Sequence, residues 1–293
     1  YLLFVADEQQ EVYAKTAIGI VQWRRDMVAG QLRLSTGAID LGVPDLTIEE
    51  AVAAGAQSLV IGVAPVGGSI PEAWWQVIIA AARAGMDVVS GLHTRLQGNP
   101  ELDRLVSASG ARLIDVRVPP TNIVVGNGAK RRGQRVLMVG TDCAVGKKYT
   151  ALALHAALLE AGVKATFRAT GQTGIMLAGE GMPIDSVVAD FVSGAAEALS
   201  PANDDDHWDV IEGQGSLFHP GYAAVNLGLL HGSQPDALVL CHDARRTHHA
   251  GWPDYALPTI RECIDVNLQM SRRTNPDVRC VGVSINTSRL AAD

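Results

Sequence analysis

The sequence predicts a two-domain α/β protein, with parallel sheets covered by helices on both faces, and three observations lead there. Short apolar runs alternate with helical stretches along both halves of the chain, the pattern of repeated βα units. Apolar residues make up 47% of the 293 positions and aromatic residues only 5%, so the Ala, Val and Gly that remain suit buried strands under Ala-rich helices. The stretch 119–134 (PPTNIVVGNGAKRRGQ) interrupts the alternation with Pro, Gly and basic residues and reads as a connection. The first domain is therefore assigned to residues 1–130 and the second to 131–293.

In the first domain, 57–65 (QSLVIGVAP) is a buried strand by its unbroken apolar run. Residues 71–85 form a helix with Pro in its first turn and Gly at its end. Strand 87–90, helix 100–110 and strand 113–116 follow. The run VGGS at 66–69 lacks a G-x-G-x-x-G spacing and reads as an ordinary βα loop. In the second domain strands are expected at 136–140, 163–169, 208–212, 236–241 and 279–284. Helices are expected at 145–161, 186–199 and 257–270. The acidic run 203–206 is a solvated loop before a strand, and the Trp-bearing stretches are packing or interface residues.

RVLMVG followed by TDCAVGKK sets a strand, a Gly-bounded loop and a helix start in order. Amides at the opening of such a helix lack intrahelical partners and point out of its positive end, which makes a site for phosphate. Lys147 adds a cation and Lys148 a second. The chain has five Lys against 19 Arg, and two of the five are neighbours here, so they serve the loop and not general solubility. The cradle is expected to comprise Gly140, Thr141, Asp142, Cys143, Ala144, Val145, Gly146, Lys147, Lys148, Tyr149 and Thr150. Lys148 stands where a magnesium-dependent loop carries Ser or Thr. The hydroxyl of Thr150 is turned about 200° further round the helix. A second ammonium repels a divalent ion, so the expected ligand is rich in phosphate and needs no metal. Coenzyme A fits that description.

Five residues separate Gly140 from Gly146 where the ordinary phosphate loop has four, and GTD-x-x-VGK resembles the loop of dethiobiotin synthetase. IEGQGS at 211–216 resembles the E-G-x-G of the same enzymes, in which the Glu helps hold magnesium; Glu212 has that strand-end place. Taken together, GTDCAVGKKYTALAL, 169–197 (ATGQTGIMLAGEGMPIDSVVADFVSGAAE), 212–222 (EGQGSLFHPGY) and 282–288 (GVSINTS) resemble one family of P-loop proteins with an N-terminal Rossmann-like domain. VPDLTIEEA and GLHTRL in the first third resemble it too. Some members look like D-glutamate N-acetyltransferases. The resemblance implies acetyl-CoA as co-substrate, a D-amino acid as acceptor with D-glutamate foremost, and a second domain of dethiobiotin-synthetase type.

Acetyl transfer to an amine needs a proton acceptor, donors for the thioester oxygen and an aligned acceptor. Glu212 is the first candidate base, followed by Asp185 and by His219 in LFHPGY. Asp185 and Asp190 each read more readily as helix caps or surface carboxylates, and His219 reads equally as a structural histidine. Amides at 171–174 and 213–215 are candidate oxyanion donors. Gln172, Thr173, Gln214 and Ser216 are placed at the substrate, with a turn cap as the alternative for Ser216. Arg245 and Arg246 suit a dicarboxylate, since guanidinium grips carboxylate with paired bonds. Neighbours cannot both point one way, and an ion pair with Asp243 is the alternative. His242, His248 and His249 match no standard metal spacing, and no metal is expected.

The net charge of −7 excludes a general nucleic-acid binder. Cys143, Cys241, Cys263 and Cys280 show no metal-type pairing and read as reduced thiols. With no apolar run long enough for a bilayer, a cytoplasmic enzyme is expected, with small-molecule partners only and a homodimer favoured. Two readings compete: a Mg·ATP-dependent ligase or kinase, and a non-catalytic nucleotide-binding module.

Overall fold

A computed structural model describes residues 1–11, 13–65, 67–288 and 290. The chain divides into two compact units, Tyr1–Val118 and Pro119–Asp293. In the first unit β1 (Leu2–Ala6), α1 (Lys15–Trp23), β2 (Gly30–Arg33), α2 (Ile48–Ala53), β3 (Ser58–Ile61), α3 (Glu72–Arg83), β4 (Asp87–Ser90), α4 (Pro100–Ser109) and β5 (Leu113–Asp115) follow in order. The strands form one parallel sheet in the order β2-β1-β3-β4-β5. β1 and β3 are buried at every position, as unbroken apolar runs require when helices cover both faces. The strand expected at 57–65 stops at Ile61 because α1 crosses over Gly62. A β-carbon there would stand 2.6 Å from that of Ala17, and the Gly62 carbonyl accepts from the Ala17 amide at 2.9 Å. Val66 of the 66–69 loop lies outside the described residues. α4 fills the span expected for it, and the structure adds its ends: the Asn99 side chain caps the amides of Glu101 and Leu102, and Gly110 closes the helix at φ 79°.

Residues 119–130, assigned to the first domain from sequence, bond within the second unit. The Asn127 and Gly128 amides donate to the Glu197 carboxylate at 3.0 and 2.9 Å, and Lys130 Nζ donates to Asp236 at 2.6 Å. Gly194 lets the Val124 carbonyl approach its backbone where any β-carbon would collide.

The second unit comprises β6 (Gln134–Gly140), α5 (Lys147–Glu160), β7 (Ala165–Arg168), α6 (Gln172–Ala178), α7 (Val192–Leu199), β8 (Trp208–Ile211), α8 (Ala223–Ser233), β9 (Ala237–Asp243), β10 (His248–His249), β11 (Trp252–Ala256), α9 (Ile260–Ser271) and β12 (Arg279–Asn286). Five strands make a parallel sheet in the order β12-β9-β6-β8-β7, and β10 pairs with β11 as a short antiparallel hairpin. Its core joins Leu137 and Val139 of β6, Leu238 and Leu240 of β9, Leu229 and Leu230 of α8, and Ala195, Ala196 and Leu199 of α7. β6 is the middle strand. The chain winds from it to β7 and β8 on one side, then to β9 and β12 on the other. That reversal opens a crevice at the carboxyl ends of β6, β8 and β9. The helix expected from 145 begins at Lys147, because Gly146 is left-handed at φ 106°. The helix expected at 186–199 is confined to α7, preceded by two short 3₁₀ turns at Ile184–Ser186 and Ala189–Phe191. No helix of the described residues is long and apolar enough to cross a membrane.

Candidate active site

The turn from β6 into α5 is drawn tight by glycines. At Gly140 a β-carbon would stand 2.9 Å from Val145 Cγ2 and 3.2 Å from Lys147 Nζ. At Gly213, just past β8, it would run into the Met138 carbonyl. Between them the chain passes through left-handed Ala144 (φ 53°) and Gly146. A non-glycine there costs about 1–2 kcal/mol, which the surrounding bonds must offset. The amides of Ala144, Val145, Gly146 and Lys147 donate to no acceptor among the described residues. Gly146 and Lys147 belong to the helix opening, whose first amides lack intrahelical partners, and Ala144 and Val145 are the loop amides that lead into it.

Lys147 is buried, and its ammonium donates to the Asp142 carbonyl at 2.7 Å. Burial pushes its pKa down, so an anion that arrives beside it restores a charge the fold alone penalises. Lys148 is half-buried, with Nζ 4.5 Å from the Tyr149 ring centroid. Thr150 turns away, its hydroxyl 2.8 Å from that of Ser284 on β12, as the helical rotation requires. The Cys143 thiol, also in the loop, has its pKa raised by burial and stays protonated.

Asp142 is fully buried and acts as a hub. Its Oδ1 accepts from its neighbour's amide, Cys143 N, at 2.7 Å and pairs with His249 Nδ1 at 2.8 Å. Its Oδ2 accepts from Arg246 Nη1 at 2.7 Å and from Ala250 N at 2.9 Å. Burial opposes the charge, but the bonds from His249, Ala250, Arg246 and Cys143 outweigh it and hold the pKa below the usual carboxylate range. Arg246 also donates to the Cys143 carbonyl at 2.6 Å and stands 3.8 Å from Asp243. Its guanidinium therefore fastens the β9–β10 segment onto the loop, and the substrate contact expected of it has no support in this geometry. Thr141 adds a second tie, its hydroxyl 3.0 Å from His242 Nδ1.

On the other flank Glu212 leaves the end of β8 and is buried against α6. Its Oε2 accepts from the Thr170 and Gly171 amides at 2.9 and 3.1 Å. Gly174 is glycine because the carboxylate occupies the place of a side chain. Burial raises the Glu212 pKa; those two amides, then Lys148 and Lys147, pull it back only in part. Gln214 bonds the Thr170 hydroxyl at 3.1 Å, and Ser216, fully buried, accepts from Phe218 N at 3.3 Å as a turn cap. Thr173 is buried in α6 and Gln172 is half-buried at its start.

His219 is buried, and its Nδ1 accepts from the Gly221 amide at 3.0 Å. Burial lowers its pKa, so the ring is neutral near pH 7 and its proton sits on Nε2. That N–H has no hydrogen-bond partner among the described residues and lies 3.9 Å from Asp142 Oδ1. The ring packs edge-on to Trp252 and His249, centroids at 4.6 and 5.1 Å.

Asp142, His219 and His249 bring ligand-type atoms within 4.8 Å of one another, a cluster that sequence spacing does not reveal. Their protons argue for a hydrogen-bond network over a metal centre. His219 would have to bind through the nitrogen that carries its proton, and Arg246 already holds the same carboxylate. Asp185 is exposed on a 3₁₀ turn beside this region, where the Ile184 amide meets the Thr170 carbonyl at 3.1 Å; Asp190 is exposed as well. Arg245 is exposed, its amide bonded to Asp243 at 3.2 Å.

Comparison with known proteins agrees with this architecture. Residues 123–293 match the family described as Domain of unknown function (DUF1611_C) P-loop domain, and residues 27–119 match Domain of unknown function (DUF1611_N) Rossmann-like domain. A Tritonibacter scottomollicae protein named D-glutamate N-acetyltransferase is 52% identical over 293 residues, 100% of this chain and 88% of the relative. A Pseudoalteromonas protein of the same name is 46% identical over the same shares. The crystal structure of a DUF1611 family protein from Anabaena variabilis superposes with a TM-score of 0.87 at 36% identity, covering 99% of this chain and 89% of that one. With both domains matched and the likeness running from end to end, the chain belongs to the family that holds the D-glutamate N-acetyltransferases, and it is an N-acetyltransferase.

Proposed function

We propose that the chain transfers the acetyl group of acetyl-CoA to the amino group of D-glutamate. The observation that carries this reading is the β6–α5 loop: four amides without acceptors among the described residues and two adjacent lysines, with Lys148 in the place of the hydroxyl residue that would take a magnesium ion. Such a loop suits the phosphates of a carrier that reacts without metal. The names of the two relatives support D-glutamate as acceptor. In the reaction the neutral amine attacks the thioester carbon, the C–S bond breaks, and the proton lost from nitrogen ends on the coenzyme A sulfur.

The pantetheine arm is about four residue-lengths long, so when extended it sets the thioester roughly 13 Å from the phosphates. Glu212 and His219 lie beside the lysines, at the phosphate end by this measure. We therefore assign Glu212 to charge balance and to fixing the β7–α6 turn, in place of the base role its raised pKa suggests.

A thiol-release assay with acetyl-CoA, run in EDTA over a panel of D- and L-amino acids, tests the reading. Coenzyme A released with D-glutamate and not with L-glutamate is the expected result. Magnesium-dependent release of ADP from ATP, with no thiol from acetyl-CoA, would overturn it in favour of a ligase or kinase.

A further inference from the structure

The phosphate loop accounts for the lysines but not for the rings that stand beside it. The chain has only four Phe, five Tyr and five Trp, yet Tyr222 and Trp252 meet at His219, and neither is buried in the core. Tyr222 also breaks a local rule. It holds the N-cap position of α8, where Ser, Thr, Asp or Asn would satisfy a helix amide, and its side chain makes no cap bond. The helix does not need this ring, and a residue that breaks a local preference without local benefit points to a role beyond the helix.

His219 links the rings to the loop. Its Nε2 stands 3.9 Å from Asp142 Oδ1, and the Asp142 carbonyl holds the Lys147 ammonium at 2.7 Å. The His219 ring lies 4.6 Å from Tyr222 with a tilt of 35°, and 4.6 Å from Trp252 at 76°. Tyr222 and Trp252 are 6.0 Å apart at 80°. The rings therefore make a corner, with Tyr222 as a floor backed by His219 and Trp252 as a wall. The floor is open to solvent, with 49% of Tyr222 exposed.

Such a corner suits a flat, neutral ligand. The negative faces of aromatic rings repel the carboxylates of an amino acid. The thioester is carried away from here by an extended pantetheine arm. The base of coenzyme A instead hangs from its 5′-phosphate by one ribose, about two residue-lengths. That reach matches a corner separated from the loop by a single histidine.

We propose that Tyr222 and Trp252 form the adenine platform of the coenzyme A site, stacking the base while the β6–α5 loop holds the phosphates. This rests on the acetyl-CoA reading above. The test is calorimetric binding to the intact protein of acetyl-CoA and of S-acetyl-4′-phosphopantetheine, which lacks the adenosine, with wild type, Tyr222→Leu and Tyr222→Phe. Tyr222→Leu should bind acetyl-CoA about tenfold more weakly, the loss of one base stack, and Tyr222→Phe should recover most of that affinity. The adenosine-free thioester should bind all three within about twofold. Adenosine 3′,5′-bisphosphate should quench tryptophan fluorescence in wild type and not in Trp252→Phe, a readout that holds even where the leucine variant misfolds. Equal weakening of both thioesters in a folded Tyr222→Leu, or quenching retained in Trp252→Phe, overturns the inference and leaves the acetyl-CoA reading standing. Wild type that binds ATP and ignores acetyl-CoA overturns that reading itself; the platform then survives if Tyr222→Leu weakens ATP and falls if it does not.

Discussion

The two units each open with the same motif, a buried strand, a turn and a helix whose first residue is lysine, and among the described residues only the second closes a loop of unbonded amides around a buried lysine. In the first unit β1 leads to Lys15 of α1; in the second β6 leads to Lys147 of α5. The turn after β1 holds no glycine and carries Asp7, Glu8 and Glu11, and the Glu8 carboxylate consumes the amides of Gln9 and Gln10 at 2.9 and 2.8 Å. Lys15 ends up exposed. The turn after β6 has glycine at both ends, its lysine is buried, and its one acid is spent on Arg246, His249 and Ala250. Lysine at a helix start is therefore not enough. Glycines must let the chain close around it, and the loop's own negative charge must be tied off.

The comparison breaks most violently at Gly213. A methyl group there enters the Met138 carbonyl and presses within 2.9 Å of Lys147 Cδ. Gly213→Ala is expected to abolish soluble, folded protein, read by yield and circular dichroism; a well-folded variant would remove the close approach from the account. The next test pairs the two lysines. Lys147→Ala should raise the KM for acetyl-CoA about 10- to 100-fold and the KM for the amino acid less than threefold, the loss of one charge-assisted contact. Lys15→Ala should leave the acetyl-CoA KM within about twofold. Equal effects would make the two turns functionally alike.

Glu212→Gln sharpens the comparison through stability. The glutamine carbonyl oxygen can still accept from both Thr170 and Gly171, so those two bonds survive while the charge is removed. A carboxyl whose pKa rises on folding keeps a proton that the unfolded chain has released, so native stability falls as pH climbs through that window and stays reduced above it. The variant should therefore melt above wild type at pH 8, with the difference shrinking toward pH 4; a difference constant with pH would refute the buried-charge argument. The smallest effects come from a feature the units share. Thr47 opens α2 and Thr259 opens α9 with the same reciprocal capping box to Glu50 and Glu262. Thr47→Ala and Thr259→Ala should each cost about 1 kcal/mol, seen as a drop of about 2–4 °C in melting temperature.

Much of this was legible before any coordinates. β4 reads directly from DVVS, α4 from the stretch between Pro100 and Gly110, and the phosphate loop from its two glycines and twin lysines, because each is set by residues adjacent in sequence. α8 was not legible. Gly228 and Gly232 pack its backbone against Val192, Ser193 and Ala196 of α7, and a helix buried that closely has no polar face to betray its period. The hairpin β10–β11 hid for the opposite reason, five mostly exposed residues interrupted by Pro253. Asp142 was visible as part of the loop, but its long-range partners stand 104 to 108 residues further on. No local pattern announces a bond between positions that distant.

That distance governs when the protein becomes competent. The P-loop of the second unit holds its shape through Arg246, His249 and Ala250, so a nascent chain that has released only Gly140 to Glu160 owns the lysines but not the grip. The loop is complete only with β9 beside β6 and the following hairpin on Asp142, so a chain cut before Arg246 would keep both lysines and lack every long-range bond that fixes the acid between them and the sheet.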